Sequence, residues 1–350
     1  MTSELEDLAA AVRSVLDRRW SDAALRTAID TPAGYDTGLW SVLSDQVGVA
    51  ALAVPEAAGG MGAGVRALQS VAEELGRRLV PSPFLGSAVL ATSVLNGTGA
   101  CDLLGDLASG TRTATVAFAG RAFTDRPLIM SGGRVSGTAC FVLDGDTADD
   151  LLLAARDGGR LVLLRADRGV AHRRHTPTLD PTRRLAEVTV DRASGTVLLD
   201  DAEAALAHAL DVTCAVLAAE QVGAAEHALR STVEYTRSRV QFGRAIGSFQ
   251  ALKHRMADMF VLVEAARSAA YAAGESLDRA DPDAPQAVAT AKAYCSEAFQ
   301  AVAAEMIQLH GGIGITWEHD AHLYFKRAHG SAHLFGDPAS FLALRPLTHS

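Results

Sequence analysis

The 350-residue chain predicts an α+β fold that is mostly α. It divides into an N-terminal helical domain over 1–112, a small middle β-sheet or barrel domain over 113–205 and a C-terminal helical bundle over 206–350. Three observations predict this. Apolar residues recur at three- and four-residue steps through both ends of the chain, short β-forming runs fill the middle, and the length suits two or three domains. With 49% hydrophobic residues a large core is available, which excludes global disorder.

In the first domain Leu5, Leu8, Val12, Leu16 and Trp20 make one helical stripe. Leu39, Trp40, Leu43 and Val47 make a second, and Leu68, Val71, Leu75 and Leu79 a third. Thr31-Pro-Ala-Gly34 and Gly59-Gly-Met-Gly-Ala-Gly64 break the pattern between them. In the middle domain 113–118, 140–143, 151–155, 161–164, 187–190 and 197–199 read as strands. Asp144-Gly145 and Asp157-Gly158 are the dipeptides expected at tight reversals, so an antiparallel arrangement follows. In the last domain three stripes mark long helices: Val222, Ala225, Leu229 and Val233, then Leu252, Met256, Phe260 and Val263, then Phe299, Val302, Met306 and Leu309. Alanine-rich runs such as 265–274 add helix propensity, and Asp278-Arg-Ala-Asp-Pro-Asp-Ala-Pro285 is an interhelix turn.

A net charge of −9 argues against a nucleic-acid partner, which needs concentrated positive charge. Cys101, Cys140, Cys214 and Cys295 form no C-x-x-C pair and read as buried thiols of a reducing, cytoplasmic compartment. The first seven residues are acidic, and no apolar run approaches the roughly 18 residues of a membrane span. His310, His319 and His322 lack a ligand pattern such as H-E-x-x-H, so no metal is expected. Ser194 and Ser248 lack a nucleophile elbow.

Chemistry concentrates in two segments. Arg237-Ser-Arg-Val-Gln-Phe-Gly-Arg-Ala-Ile-Gly-Ser-Phe-Gln250 places Arg239 near a helix end, with Gly243 as a left-handed stop. On its own this also reads as a basic last turn answering the helix dipole. Gln308-Leu-His-Gly-Gly-Ile-Gly-Ile-Thr-Trp317 ends another helix on glycines that admit a phosphate close to the backbone.

In order and spacing these two segments resemble the acyl-CoA dehydrogenase family, flavoenzymes that desaturate CoA thioesters. Leu52-Ala-Val-Pro-Glu-Ala-Ala-Gly-Gly-Met-Gly62 resembles the family's N-terminal domain. The resemblance implies a three-domain fold ending in a four-helix bundle, with FAD as cofactor. It implies Arg239 on the FAD pyrophosphate, Phe242 beside the cofactor and Gln250 reaching the cofactor of a neighbouring subunit. Gln308, Gly311 and Gly312 would embrace the adenylate half across the interface. An acyl-CoA substrate, an oligomer and an electron-transfer acceptor are implied with them.

The pattern departs from the family at the base. In these enzymes a carboxylate removes the α-proton while the β-hydrogen leaves as hydride. Most members carry it as a glutamate in the terminal segment, where Ala332-His-Leu-Phe-Gly-Asp337 places Phe335. Others carry it early in the helix leading to Arg239, where register gives Thr213. Glu220 lies two turns beyond Thr213 and about 20° round the same helical face, which makes it the candidate catalytic base. Its apolar run, Val216-Leu-Ala-Ala-Glu-Gln-Val222, predicts burial and a raised pKa, and the alternatives are a polar residue on a partly exposed face or an internal salt bridge. Asp337 is a terminal alternative, and Glu234 is expected to pair with Arg230 or Arg237. The family's Thr-Glu-Pro…Gly-Ser-Asp loop and Trp-Ile-Thr strand are replaced by Ala114-Thr-Val-Ala-Phe-Ala-Gly-Arg-Ala-Phe123 and 138–143. Short members of this kind pair with a fuller homologous subunit in heterotetramers that act on bulky thioesters, steroid-derived ones included. Two functions follow from the resemblance: α,β-dehydrogenation of an acyl-CoA by a subunit of a hetero- or homo-oligomer, or a catalytically silent subunit that completes its partner's FAD site.

Overall fold

The computed structural model describes residues 2–118 and 127–344. Helix α1 (Thr2–Arg19) buries Val12 and Leu16. Helix α2 (Asp22–Ile29) starts where the Ser21 side chain accepts from Ala24 N, and α3 (Thr37–Val42) starts on Asp36 in the same way. A π-helical turn over Leu43–Val47 then ends on Gly48, whose φ of +79° suits glycine. Helix α4 (Val65–Arg77), a π-helical stretch over Phe84–Ala91, α5 (Thr92–Leu95) and α6 (Cys101–Ala108) complete the domain.

Eight strands follow: β1 (Ala114–Ala117), β2 (Leu128–Ser131), β3 (Arg134–Leu143), β4 (Asp150–Asp157), β5 (Arg160–Ala166), β6 (Ala171–His175), β7 (Leu185–Ala193) and β8 (Gly195–Leu199). They form one sheet in the order β6-β7-β3-β2-β4-β5-β8, with β1 also on β4. The sheet is mixed, not antiparallel as expected, because β1 and β2 both run parallel to β4. Asp157 faces Arg160 across a tight β4–β5 reversal. Asp144-Gly145 closes no hairpin: it opens a loop in which the Asp144 carbonyl accepts from Thr147 N (3.0 Å) and Ala148 N (2.9 Å), and β4 pairs elsewhere.

The last domain holds α7 (Glu203–Ser238), the two-residue strands β9 (Val240–Gln241) and β10 (Arg244–Ala245), α8 (Gln250–Asp278), α9 (Ala284–His310), a 3-10 turn over Gly311–Ile315, α10 (Ala321–His333) and α11 (Pro338–Leu344). Helix α7 is the axis of the molecule, packed on α4, α8 and α9. Its approach to α4 is close enough to require glycine on both helices. A Cβ at Gly223 would lie 1.9 Å from Glu73 O, and one at Gly76 would lie 2.0 Å from Glu220 O. Gln69 of α4 stitches the same seam, its Nε2 donating to Ala215 O (2.9 Å) and Ala270 O (2.7 Å). Glu73 takes Arg267 and the Tyr271 hydroxyl (2.7 Å), so the carboxylate is fully answered.

Two expectations are corrected here. Helix α7 is long and apolar enough to span a membrane by composition, but 72% of the qualifying stretch is buried inside the protein, as befits a core helix. Only Cys214 and Cys295 are buried thiols, and Cys101 and Cys140 are exposed.

Candidate functional site

The two glycine-bearing segments come together at one end of the bundle. Helix α7 ends at Ser238, and the chain turns at once into the β9–β10 hairpin, Arg244 facing Gln241. Phe242 (φ +54°) and Gly243 (φ +73°) are its two turn residues, both left-handed as a twisted two-residue hairpin requires. Gly243 is therefore a hairpin residue and not the helix stop. A phenylalanine rarely adopts this conformation, and here it holds the ring 91% exposed, edge-on to Phe249 at 6.1 Å. Arg239, between helix and hairpin, is exposed, and its guanidinium has no partner among the described residues. Gln250 opens α8, exposed, with Nε2 2.9 Å from His254 Nε2.

At the end of α9, Gln308 is exposed and Gly311 turns at φ +65°. A Cβ at Gly311 or Gly312 would meet nothing within 4 Å, so the backbone there is open to a ligand. Tyr235, one turn before Arg239, stacks on His310 at 4.4 Å and donates to its carbonyl at 3.2 Å. That contact fixes the α7 end against the α9 end. His319 lies tilted against His310 at 4.4 Å, and Trp317, 61% exposed, lies edge-on to His322 at 4.6 Å. The surface thus offers a free guanidinium, two uncovered glycines and exposed rings. These groups suit the pyrophosphate half of FAD, an anion flanked by apolar rings.

Glu220 is not part of this surface. It lies nineteen residues before Arg239 on α7, about 28 Å along the axis at helical rise. Its carboxylate takes Arg183 from the loop before β7 and Arg327 Nη1 from α10 at 2.7 Å. Arg327 also reaches Asp180 Oδ2 (2.9 Å), Thr182 Oγ1 (2.9 Å) and Thr182 O (2.7 Å). Burial pushes the Glu220 carboxyl up, but Arg183 and Arg327 together outweigh it and hold it below the usual carboxylate range. The raised pKa expected from the apolar run is therefore overturned. That run packs Glu220's helix, while two arginines from distant elements meet the carboxylate itself.

Thr213 is buried, its hydroxyl donating to Ala209 O at 2.6 Å. Phe335 sits at φ +61° against the core. Asp337 lies near enough to the buried Lys292 to favour its charged form. Arg230 turns to His227 Nδ1 (3.3 Å) and not to Glu234. Of the replaced stretch Ala114–Phe123, Ala114–Ala117 forms β1, and the part beyond Phe118 lies outside the described residues. Arg183, Arg327 and Asp180 carried no signal in the sequence, because each meets Glu220 or its partners across more than thirty residues with no local pattern to mark it.

A helical domain, a β-sheet domain and a long helical bundle, with two uncovered glycines at the end of α9, make up the architecture. The chain matches the family description "Acyl-CoA dehydrogenase, N-terminal domain" over residues 2–101 and "Acyl-CoA dehydrogenase, C-terminal domain" over 203–338. It is 43% identical over 338 residues to acyl-CoA dehydrogenase IpdE2 of Mycolicibacterium smegmatis, covering 97% of this chain and 96% of that protein. Among solved structures, the Tcur3481-Tcur3483 steroid ACAD aligns at 31% identity with a TM-score of 0.88, covering 98% and 96% of the two chains. The ChsE4-ChsE5 complex from Mycobacterium tuberculosis aligns at 28% identity and 0.88, covering 100% and 98%. The chain belongs to the acyl-CoA dehydrogenase family of FAD-dependent oxidoreductases.

Proposed function

We propose that this chain is one subunit of a cytoplasmic, heteromeric acyl-CoA dehydrogenase acting on a thioester with a bulky, steroid-like acyl group. Its part is to complete a FAD site shared with a homologous partner, which supplies the base. The observation that carries this reading is a contrast within the chain. The FAD-facing end keeps an unpartnered arginine and open glycines, whereas the family's two base positions hold Thr213 and Phe335, and Glu220 is locked between two arginines. The similarity to a steroid ACAD and to a two-component complex supports both the substrate class and the partner.

Bound FAD supplies the hydride acceptor of the dehydrogenation, and an electron-transfer acceptor reoxidises it. From this chain, Arg239 and the Gly311-Gly312 backbone would hold pyrophosphate oxygens, while Gln308 and Gln250 add hydrogen bonds. Phe242 and Trp317 would exclude water from that contact. Val240, Phe260, Val261 and Ile315 are also exposed, and apolar groups of this kind fit a partner-covered face.

Arg239→Ala removes a charge-assisted contact, which contributes about 1.5–3 kcal/mol. We expect FAD retention to weaken about 10- to 100-fold with the fold unchanged. Flavin absorbance per complex after gel filtration, for the chain co-purified with a homologous partner subunit, checks this. Unchanged flavin stoichiometry would refute the assignment.

A further inference from the structure

The three domains meet at a cavity of about 20 Å³, room for roughly one water. Tyr35 lines it from the N-terminal domain, Asp144 and Arg183 from the β domain, and Glu220 and Arg327 from the bundle. The arginines here are already matched. Arg183 serves Glu220, Arg327 serves Glu220 and Asp180, and Arg184 serves Asp146 at 2.7 Å. Each of these three guanidinium groups therefore has a carboxylate partner, and Arg173, which donates to Ala148 O (2.6 Å), adds its charge toward Asp146, Asp149 and Asp150. One strand away, Asp149 takes Thr113 N (2.9 Å) and Asp150 takes Arg112 and Arg165, so those charges are answered too. Asp144 is the carboxyl left over. It sits at φ +50° with its carboxyl against Gly86, where a Cβ would lie 2.9 Å from Oδ2. No hydrogen bond reaches that carboxyl among the described residues. Arg183 Nε, across the same cavity, is a buried donor without a partner.

We propose that this cavity is a proton-operated latch between the domains, in which protonated Asp144 leaves Arg183 bound to Glu220 and ionised Asp144 draws Arg183 away through its free Nε. The proton is given to water, and ionised Asp144 then competes with Glu220 for Arg183. The tie between the β domain and α7 loosens, because the Arg183 guanidinium turns toward Asp144 and gives up its contact with Glu220. Burial, reinforced by Asp146 and opposed by Arg183 and Arg184, pushes the Asp144 carboxyl up to about 7. This agrees with a carboxyl that no hydrogen bond reaches, and it places the change near neutral pH. The latch stands apart from the FAD reading, since it involves none of the residues at the bundle's end.

The sign follows from linkage. Asp144 titrates near 4 when unfolded and higher when folded, so its contribution to stability is complete below pH 4 and is lost as pH rises to about 7. Glu220, held low, contributes in the opposite sense, and its contribution is common to the wild type and an Asp144 variant.

The test is thermal and denaturant unfolding of the purified complex from pH 5 to 8.5, wild type beside Asp144→Asn. Asparagine tolerates the left-handed backbone and removes the titration. The folding equilibrium of the wild type should fall relative to the variant by up to tenfold per pH unit until about pH 7, then run parallel. Parallel profiles throughout would overturn the proposal. Hydrogen exchange in residues 180–186 of the wild type provides a readout that needs no folded variant. Corrected for intrinsic rate, it should speed up between pH 6 and 8 more than exchange in the α8–α9 core, and equal protection at both pH values would also overturn the proposal.

Discussion

Arg327→Leu is expected to destabilise the protein by about 3–5 kcal/mol, the usual cost of removing one partner from a buried ion pair. The side chain is 3% exposed and is shared by Glu220 and Asp180 as well as the Thr182 carbonyl. Leucine fills part of the volume but leaves Asp180, also 3% exposed, without its cation. Glu220 keeps Arg183, so the loss falls chiefly on the contact between the 180–184 loop and α10. Denaturant unfolding should show the drop with no change in m-value, and Arg327→Lys should recover only part of it, since one ammonium cannot serve three acceptors in a fork. A loss below about 1 kcal/mol would show that this network is not what fastens the β domain to the bundle.

Gly223→Ala is the second large effect, about 3 kcal/mol at the upper end of overpacking costs. The new methyl would sit 1.9 Å from a backbone oxygen of α4, and no rotamer change relieves a clash with backbone. Separating α4 from α7 would also disturb the Glu73 contacts to Arg267 and Tyr271. Gly105→Ala in α6 serves as the control, because its nearest neighbour is Ala58 O at 3.5 Å. There the substitution should be neutral or stabilising by up to about 1 kcal/mol through helix propensity. Equal melting temperatures for the two variants would contradict the glycine seam.

Helices and most strands were legible because each announces itself locally. The stripe through Val12 and Leu16 became α1, and the alternation around Glu187–Val190 lies in β7. The residues proposed to face FAD stand out in the sequence as motifs, since Arg239 and Phe242 adjoin Gly243, and Gln308 adjoins the Gly311-Gly312 pair. The mixed sheet was not legible, because the pairing of β1 and β2 with β4 depends on chain crossings that no dipeptide marks. Glu220 shows the same limit in a single side chain. Its apolar neighbours along α7 suggested a desolvated acid, yet the charges that set its state come from Arg183 and Arg327, 37 residues before and 107 residues after it. Asp144 shows the converse. The turn-forming Asp-Gly pair disguised a carboxyl that lines an interdomain cavity.

The measurement that most directly tests the division of labour proposed for this chain is substrate-dependent flavin bleaching by the reconstituted complex carrying Glu220→Gln, normalised to bound FAD. If this subunit completes a FAD site and its partner provides the base, turnover per flavin will match the wild type even where the loss of a charge beside Arg183 and Arg327 lowers stability. A fall of roughly 10²-fold, the size expected for removing a general base, with FAD content and assembly intact, would contradict the account and make Glu220 the base.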